Sequence, residues 1–488
     1  MRRKTDYFRQ RILRKEQKEL LRFLPGVLTK EQKKIMVVSN GNTFPRPDKR
    51  AGEEAKKEKK EKIVMKKVVI AGGGWSGCAA AIEARKLGAQ VTLLERTDML
   101  LGTGLVGGIM RNNGRYTATE EMIAMGGGEL FGVIEQNLRH KNISFPGHAH
   151  ADLYDVATIS GAVTRYLLSI GVQVCLQARI TKLQKEDDRI VSVEDADGNV
   201  YEGDVFIDTT GTAGPMNNCA KYGNGCAMCV LRCPSFGGRV SVAGLAGVEE
   251  MQGKKADGSV GSMSGSCKLL KESLAPEIVE ELDEKGVVVY PIPQELREDH
   301  LSLKCCQQYA LPQFRDNIVL LDTGHAKLMT PFYSLETLHQ IPGFENARYE
   351  DPYAGGKGNS MRYFAMAPRS NALQVEGVAN LFCAGEKAGL LVGHTEAIVT
   401  GVLAGYNAVL YAEGKEPLTL PESTLIGDAV AYVKKEMETE EGRSRKYTFS
   451  GSVYFERMKE IGRYSTDTEE IRDWVEQAGM TGVFDAVR

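Results

Sequence analysis

Short apolar runs alternate with helix-forming stretches along parts of the chain, and this order predicts an α/β fold. Short apolar runs at 68–71 and 91–94 have the length of buried parallel strands, and helix-forming residues at 78–86 lie between them. The same order of strand, glycine turn and helix returns at 381–411. These units predict helices that cover a parallel sheet.

Between these units the pattern changes. Alternating apolar and polar positions, separated by turn residues, predict a β-meander from 172 to 207. The chain is then expected to return to a sheet strand at 204–208, which ends in a turn of small residues at 209–214. Residues 237–374 are typical of a mixed α+β region. We expect helices at 129–139, 157–169, 269–285, 453–461 and 468–478, and a further strand at 287–292.

Length and composition limit the class of protein. A chain of 488 residues exceeds one compact core, so we expect two or three domains. Its 42% hydrophobic and 26% charged residues are typical of a globular protein. Because no apolar run approaches ~20 residues and the N-terminus lacks a secretory apolar segment, we expect a cytoplasmic protein without a membrane span.

The N-terminal arm differs in charge from the rest of the chain. Residues 1–62 hold 20 Lys and Arg against 9 Asp and Glu. The arm could bind nucleic acid or a partner. It could equally be a solvated extension, or start upstream of the true first residue at Met65. We favour the extension or the misplaced start, because charge runs are usually solvated.

The strongest motif is a glycine fingerprint, G-x-G-x-x-G, where the first strand turns into its helix. The first glycine permits a tight turn, the second lets a pyrophosphate approach the backbone, and the third lets the helix pack on the sheet. A carboxylate at the end of the next strand can accept ribose hydroxyls. We therefore expect a bound dinucleotide with contacts from Gly72, Gly74, Ser76, Gly77, Glu95 and Arg96.

Four cysteines lie in NNCAKYGNGCAMCVLRCPSFGGR, at Cys219, Cys226, Cys229 and Cys233. Their spacing, Cys-x6-Cys-x2-Cys-x3-Cys-Pro, suits a 4Fe–4S cluster, because four thiolates must converge from a short loop. A structural zinc site and uncoordinated thiols are the alternatives. Cys267 or the pair Cys305–Cys306 could replace Cys219. We expect the iron–sulfur cluster.

Several of these motifs resemble a known family, the FAD-dependent oxidoreductases that include fumarate-reductase-like and GidA-related flavoproteins. AGGGWSG with Glu95, FCAGEKAG, LGTGLVGG and DTTGTAG carry that resemblance. IPGFENARY, NLFCAGEKAGLLVGHTEAIVTGVLAGYNA and LPESTLIGDAVAYV are similar to the folate- and FAD-dependent tRNA-uridine methyltransferases. The resemblance extends from Lys66 to Val433.

The resemblance implies FAD as the cofactor and assigns further contacts to it. Gly385 and Glu386 would hold the ribityl chain, and the helix that starts near Thr395 would point its positive end at the flavin. Gly102 and Gly211 would line the same site. His394, just before that helix, could donate a hydrogen bond or a proton, or could be only a neighbour of the helix end.

Arg369 is a candidate of a different kind. Its guanidinium could hold a substrate carboxylate or phosphate through two hydrogen bonds, or could form a surface ion pair. We place Arg369 with His394 and Cys233 among the candidate catalytic residues.

We therefore expect a three-layer Rossmann-like FAD-binding domain with a β-meander, an inserted α+β domain and a helical C-terminal tail. The expected domains are a basic extension at 1–64, the FAD-binding domain at 65–215 and 375–435, an inserted cluster and substrate domain at 216–374, and the tail at 436–488.

The clustered cysteines depart from the isolated cysteines of GidA-type proteins. On that ground we expect an FAD-dependent oxidoreductase that transfers electrons between FAD, the cluster and an unidentified substrate. Flavin-dependent uridine modification of tRNA or rRNA, with Cys233 as nucleophile, and a non-catalytic electron-transfer subunit are the alternatives. The expected partner is a small-molecule substrate or a redox protein rather than RNA or a membrane, and self-association is left open.

Overall fold

The computed structural model describes residues 65–211, 235–254, 262–263, 267–299, 301, 307–329, 333–350, 361–362 and 364–485. The chain divides between Ile63 and Val64, and every described residue belongs to the second part. The predicted boundaries of the domains stay predictions.

A parallel five-stranded sheet lies at the centre of the fold. Because its strands are buried apolar runs, helices can cover both faces. Val69 pairs with Phe206 on one side and with Thr92 on the other. The order across the sheet is Leu381–Cys383, Val205–Asp208, Lys67–Ala71, Gln90–Leu94 and Gln173–Cys175. The predicted α/β fold is confirmed.

Two helices follow the two glycine turns and pack directly on each other. The fingerprint helix is Trp75–Lys86 and the long helix is His394–Ala412. A Cβ on Gly405 would stand 2.5 Å from the Ala80 carbonyl oxygen, so only glycine permits this crossing. The remaining helices of this part are Gly104–Gly107, Gly114–Ala124, Glu129–Glu135 and Ile159–Ser169.

Two antiparallel sheets flank the central one. The predicted β-meander is Ile180–Glu186, Arg189–Asp195 and Val200–Glu202. The second sheet contains Ile109–Met110, His148–Tyr154 and Leu138–Phe145. The helix predicted at 129–139 was therefore too long. It ends at Glu135, because the residues from Leu138 onward pair with the strand His148–Tyr154.

The insert has its own sheet and its own apolar core. The sheet contains Cys267–Leu269, Ala326–Leu328, Asn317–Asp322 and Val287–Pro291. The helix predicted at 269–285 was too long at its start: it begins at Pro276, which suits a first helical turn, and ends at Lys285.

The remaining elements are short helices and strands of two to four residues. They are Val242–Leu245, Met251–Gln252, Ser262–Met263, Lys271–Ser273, Gln294–Leu296, Gln307–Tyr309, Gln313–Asp316, Leu335–Leu338, Met361–Arg362, Ala365–Met366 and Gly385–Ala388.

Charged side chains join the insert to the hairpin of residues 138–154. The buried carboxylate of Asp322 accepts hydrogen bonds from Arg139 Nε at 2.9 Å and from His140 Nε2 at 2.8 Å. Lys271 Nζ lies 2.7 Å from the same carboxylate. Three cationic or donor groups thus converge on one buried acid.

The C-terminal tail is helical, as predicted. Its helices are Glu440–Arg443, Ser452–Glu460 and Thr468–Gln477. The helix Leu425–Met437 precedes them, and Glu121 binds its start, because the Glu121 carboxylate accepts the N–H groups of Leu425 and Ile426 at 2.8 and 2.7 Å. In the part of the chain that the structure describes, no helix has the length and apolarity needed to cross a membrane.

Candidate functional site

The first glycine turn leaves uncovered backbone at one edge of the central sheet. Gly72 has φ +103°, and a Cβ there would stand 2.5 Å from the Thr209 carbonyl oxygen. A Cβ on Gly77 would overlap the Gly72 carbonyl oxygen, so helix and strand touch through bare backbone. A Cβ on Gly74, by contrast, would meet no atom within 4 Å. The turn therefore has room for a ligand beside Gly74.

Two helix N-termini lie at the same edge. The fingerprint helix starts after Gly74 and the long helix starts after Gly393, and neither has a side-chain cap. A Cβ on Gly385 would stand 2.8 Å from Ser76 Oγ, which brings the second glycine turn against the first. Uncapped N-termini carry free N–H groups and partial positive charge, so this edge suits an anion.

Glu95 ends the second strand with its side chain buried. Its Oε2 accepts the N–H of Gly73 at 2.9 Å, and its Oε1 accepts the N–H of Thr97 at 2.8 Å. These bonds fix the carboxylate against the glycine turn. Arg96 is bound elsewhere, because its Nη1 donates to the Gly237 carbonyl oxygen at 2.6 Å. The predicted cofactor contacts of both residues stay predictions.

The glycine-rich loop at 101–108 lies against the start of the long helix. A Cβ on Gly107 would overlap the imidazole of His394. The Tyr154 hydroxyl donates to the Gly104 carbonyl oxygen at 2.6 Å and lies 3.4 Å from His394 Nδ1. The predicted catalytic histidine is thus in contact with the loop that contains Gly102, which was predicted to line the flavin site.

Other groups complete the surroundings of this loop. Lys327, from the insert, donates its Nζ to the Val106 carbonyl oxygen at 2.7 Å although its side chain is buried. The ring of Trp75 meets that of Tyr154 edge to face, with centroids 5.6 Å apart. Gly102 has φ +49° in the turn that opens the loop. No motif in the sequence marks Lys327 or Tyr154 as part of this site.

A buried ion pair lies at the first turn of the long helix and was also missed. Arg115 Nε is 3.1 and 3.0 Å from the two carboxylate oxygens of Glu396. Their side chains are 6% and 0% exposed. The Glu396 carboxylate also accepts the Thr448 hydroxyl at 2.7 Å and the Phe449 N–H at 2.9 Å. These partners are distant in sequence, so no local pattern reveals them.

Hydrogen bonds extend from this ion pair into the hairpin. Arg115 Nη1 donates to Asn112 Oδ1 at 3.1 Å, and Asn112 Nδ2 lies 2.9 Å from His148 Nδ1. His148 Nε2 lies 3.2 Å from the Gln308 carbonyl oxygen. Burial lowers the pKa of His148 to about 3, so the imidazole is neutral. A proton on Nε2 suits its two neighbours, because Nδ1 faces the donor group Asn112 Nδ2 and Nε2 faces a carbonyl oxygen. The two adjacent asparagines just before the helix of residues 114–124 are the feature of the sequence that could have indicated this hydrogen-bond network.

The second glycine turn carries the remaining predicted cofactor residues. Glu386 is half-buried in the short helix Gly385–Ala388. Its neighbour Lys387 is buried, with Nζ 2.7 Å from Glu250 Oε1. Thr395 is fully buried, and its hydroxyl lies 4.0 Å from Met110 Sδ. The predicted flavin contacts of Glu386 and Thr395 stay predictions.

The strand Val205–Asp208 ends at the same edge of the sheet. The Oδ1 of Asp208 accepts the Thr210 N–H at 3.0 Å, and its Oδ2 accepts the N–H of Ala243 at 2.9 Å. A Cβ on Gly211 would stand 3.2 Å from Arg239 Nη1. Residues 208–211 and 239–243, which lie on either side of the segment 212–234 in the sequence, are therefore close together.

Arg369 is buried among backbone carbonyl groups. Its Nε donates to Ala388 at 2.8 Å and its Nη2 donates to Val430 at 2.9 Å. Burial lowers its pKa to about 10. These contacts support a structural role, in which Arg369 ties the second glycine turn to the helix Leu425–Met437. Its predicted contact with substrate stays a prediction.

The cysteines predicted to bind metal, Cys219, Cys226, Cys229 and Cys233, lie outside the described residues. Among the residues that are described, no group of three or more His, Cys, Asp or Glu could hold a metal ion. Burial raises the pKa of the Cys78 thiol and raises that of Cys383 to about 12, so both are neutral. The cluster stays a prediction.

The residues at this edge of the sheet fit FAD. The open space at Gly74 and the uncapped N-terminus beside it suit a pyrophosphate. Glu95 lies at the strand end where a ribose binds, and the long helix offers a second positive end to the flavin. The fold and this site define a class, the FAD-dependent enzymes of the oxidoreductase type.

The chain belongs to the family described as glucose inhibited division protein A, because the family model matches residues 67–311 and 324–416. The matched residues include both glycine turns, the long helix and most of the insert. FAD binding, expected from the resemblance, is supported by this family.

Curated relatives match a smaller part of the chain. The tRNA uridine 5-carboxymethylaminomethyl modification enzyme MnmG of Pediococcus pentosaceus is 38% identical over 108 residues, which is 21% of this chain and 16% of that protein. The methylenetetrahydrofolate–tRNA-(uracil-5-)-methyltransferase TrmFO of Caldicellulosiruptor bescii is 35% identical over 96 residues, or 19% of this chain and 21% of that protein. The match thus spans less than a quarter of either relative.

A solved structure shows the same fold over a longer range. GidA of Aquifex aeolicus, in its form II crystal, is similar over 85% of this chain and 76% of that chain, with a TM-score of 0.53 and 15% identity. This similarity supports the layered α/β fold.

Proposed function

We propose that the protein is an FAD-dependent enzyme that modifies uridine in tRNA. The family match carries the proposal, because it includes both glycine turns and most of the insert between them. The names of both relatives describe modification of uridine or uracil in tRNA, which supports the substrate. This order reverses our expectation from the sequence, where electron transfer came first and RNA modification second.

Residues of both glycine turns would hold the cofactor. The backbone at Gly72, Gly74 and Gly77 would bind the pyrophosphate, and Glu95 would bind the ribose. The start of the long helix would face the flavin. Bound there, FAD supplies reversible electron transfer.

His394 is the strongest candidate for proton transfer. It is the first residue of the long helix, its ring is in contact with Gly107, and the Tyr154 hydroxyl lies 3.4 Å from its Nδ1. Burial raises the pKa of Tyr154, so that hydroxyl stays protonated. Because it donates its one proton to the Gly104 carbonyl oxygen, its own oxygen is left to accept a hydrogen bond from His394 Nδ1. We assign proton transfer to His394 and its positioning to Tyr154.

The test uses purified protein, unmodified tRNA transcripts, a reductant and methylenetetrahydrofolate as the one-carbon source. Mass spectrometry of the nucleosides should show a uridine that has gained mass. Gly74→Val should lose both bound FAD and this product, because the added side chain fills the space for the pyrophosphate. Gly132→Val is the matched control, since Gly132 also has no atom within 4 Å of a Cβ but lies in a separate helix.

Two outcomes would decide against this proposal. One is protein with a full complement of reducible FAD that modifies no tRNA. The other is modification that survives the loss of FAD. If modification occurs, Cys233→Ala tests the predicted nucleophile: the product should disappear while FAD stays bound.

A second function, electron transfer between FAD and an iron–sulfur cluster, is supported by the spacing of the four cysteines. The described residues that flank 212–234 lie beside the first glycine turn, because Thr209 Oγ1 donates to the Gly72 carbonyl oxygen at 2.7 Å. Anaerobically purified protein should then contain about four irons and four sulfides per chain. Cys226→Ser should remove the iron and leave FAD. Stoichiometric zinc without iron would rule this function out.

A further inference from the structure

The ion pair between Arg115 and Glu396 occupies a distinctive place relative to the proposed FAD site. Glu396 is the third residue of the long helix, and Gly393 is the residue just before it. A Cβ on Gly393 would overlap both the Glu396 carboxylate and the Arg115 guanidinium. The pair therefore lies against the N-terminal end of the helix that is expected to face the flavin.

The two charges have opposite effects at this end. The N-terminus of a helix carries a partial positive charge, which favours a nearby anion. A carboxylate in the first turn reduces that effect, and Glu396 is completely buried, so water does not screen it. The guanidinium of Arg115 compensates the carboxylate with Nε at 3.0 and 3.1 Å.

Among the residues that the structure describes, Arg115 is the charged partner of the Glu396 carboxylate. The other donors are the neutral hydroxyl of Thr448 and the N–H of Phe449. Arg115 is itself held in place by Asn112 Oδ1 at 3.1 Å and by Thr448 Oγ1 at 3.1 Å. Replacing Arg115 by a neutral residue would therefore leave a buried negative charge at the flavin end of the helix.

We propose that Arg115 is a positioning residue that compensates Glu396 and so keeps the positive end of the long helix available to the reduced flavin. The inference rests on the proposed FAD site, although it does not depend on tRNA being the substrate. Reduced flavin carries a negative charge, whereas oxidised flavin is neutral. The charge balance of this pair should therefore set the equilibrium between them.

The experiment measures the midpoint potential of the bound flavin by dye-coupled reduction of the holoprotein. Arg115→Gln should disfavour the reduced form by at least tenfold, a shift of ~30 mV to more negative potential for a two-electron couple. Glu396→Gln should shift the potential in the opposite direction. The double variant should return close to the wild-type value, because it removes both charges.

Three controls separate this charge effect from damage to the fold. Arg115→Lys keeps the charge and should preserve the potential. Thr448→Val removes a hydrogen bond from the pair without a change of charge, and should preserve it too. Arg457→Gln breaks a different ion pair, in which Arg457 Nη2 lies 2.6 Å from Asp428 Oδ1. This variant tests whether the loss of any ion pair changes the midpoint potential of the flavin.

The outcomes distinguish this inference from the proposed function. Wild-type protein that binds no FAD would remove the basis of both. Bound FAD whose potential is the same in wild type, Arg115→Gln and Glu396→Gln would overturn the inference alone. Shifts of the potential in the same direction in both single variants would also overturn it, because only a charge effect predicts shifts of opposite sign.

Discussion

Gly405 and Ala80 lie so close that a Cβ on Gly405 would stand 2.5 Å from the Ala80 carbonyl oxygen. The long helix and the fingerprint helix thus cross through bare backbone at this point. We expect Gly405→Val to force them apart and to lower the free energy of unfolding by about 2–3 kcal/mol. Since both helices lead to the proposed cofactor site, bound FAD should fall as well.

Urea denaturation followed by circular dichroism measures the first effect, and flavin absorbance measures the second. Gly132→Val is again the control, because its Cβ has free space, and it should change stability by no more than ~0.5 kcal/mol. Unchanged stability and FAD content in Gly405→Val would show that the helices can separate without cost.

Gly107 and His394 should behave as one unit. A Cβ on Gly107 would overlap the His394 ring, so Gly107→Ala should displace the imidazole and have the same effect as His394→Ala. The double variant should then be no slower in flavin reduction than either single variant. Stopped-flow measurement of all three rates completes a double-mutant cycle, and additive losses would contradict the prediction.

Asp322 should contribute stability that is lost in acid. Burial alone would raise the pKa of its carboxyl group, but hydrogen bonds from Lys271, His140 and Arg139 outweigh burial and lower it. A carboxyl group whose pKa is lowered in the folded state stabilises the fold at pH values above its unfolded pKa of 3.8. This stabilisation is lost as the pH falls through the lower pKa of the folded state. We expect Asp322→Asn to cost about 3 kcal/mol at pH 7, because it leaves the cations without their acid.

Thermal unfolding of wild type and Asp322→Asn between pH 7 and pH 3 measures this difference, which should shrink in acid. Asp283→Asn is the matched control. Asp283 binds Lys271 as well, but its side chain is 51% exposed, so the cost should be at most about 1 kcal/mol. Equal losses in both variants would show that burial of Asp322 is unimportant.

Glu121 should have the opposite dependence on pH. Burial raises the pKa of its carboxyl group from 4.5 to about 7, against hydrogen bonds from the N–H groups of Ile426 and Leu425. Because the folded protein holds this proton more tightly, the contribution is complete below pH 4.5 and is lost as the pH rises through about 7. Wild type should therefore lose more stability between pH 5 and pH 8 than Glu121→Gln, and a calorimetric series at four pH values would measure it.

The sequence predicted those parts of the fold and site that are encoded locally. The fingerprint around Gly74 and the apolar strands beside it have a fixed spacing, so the parallel sheet and the position of the cofactor turn could be inferred. The tail helices at 453–461 and 468–478 were also predicted to within a few residues, because their apolar positions repeat at helical spacing.

What the sequence could not predict depends on contacts between distant segments. Arg115 and Glu396 are 281 positions apart, and no periodicity in either segment shows that they form a pair. Lys327 is buried and donates to the carbonyl oxygen of Val106, which is 221 positions away. The helix predicted at 129–139 stops early for the same reason, since strand pairing across the hairpin overrides helical propensity after Glu135.

The hydrogen bond from Ala243 to Asp208 joins residues 35 positions apart at the end of a central strand. The chain therefore departs from the sheet and comes back to the same carboxylate before the rest of the insert begins. The described residues at the two ends of the segment that carries the four cysteines are thus anchored at one carboxylate, beside the first glycine turn.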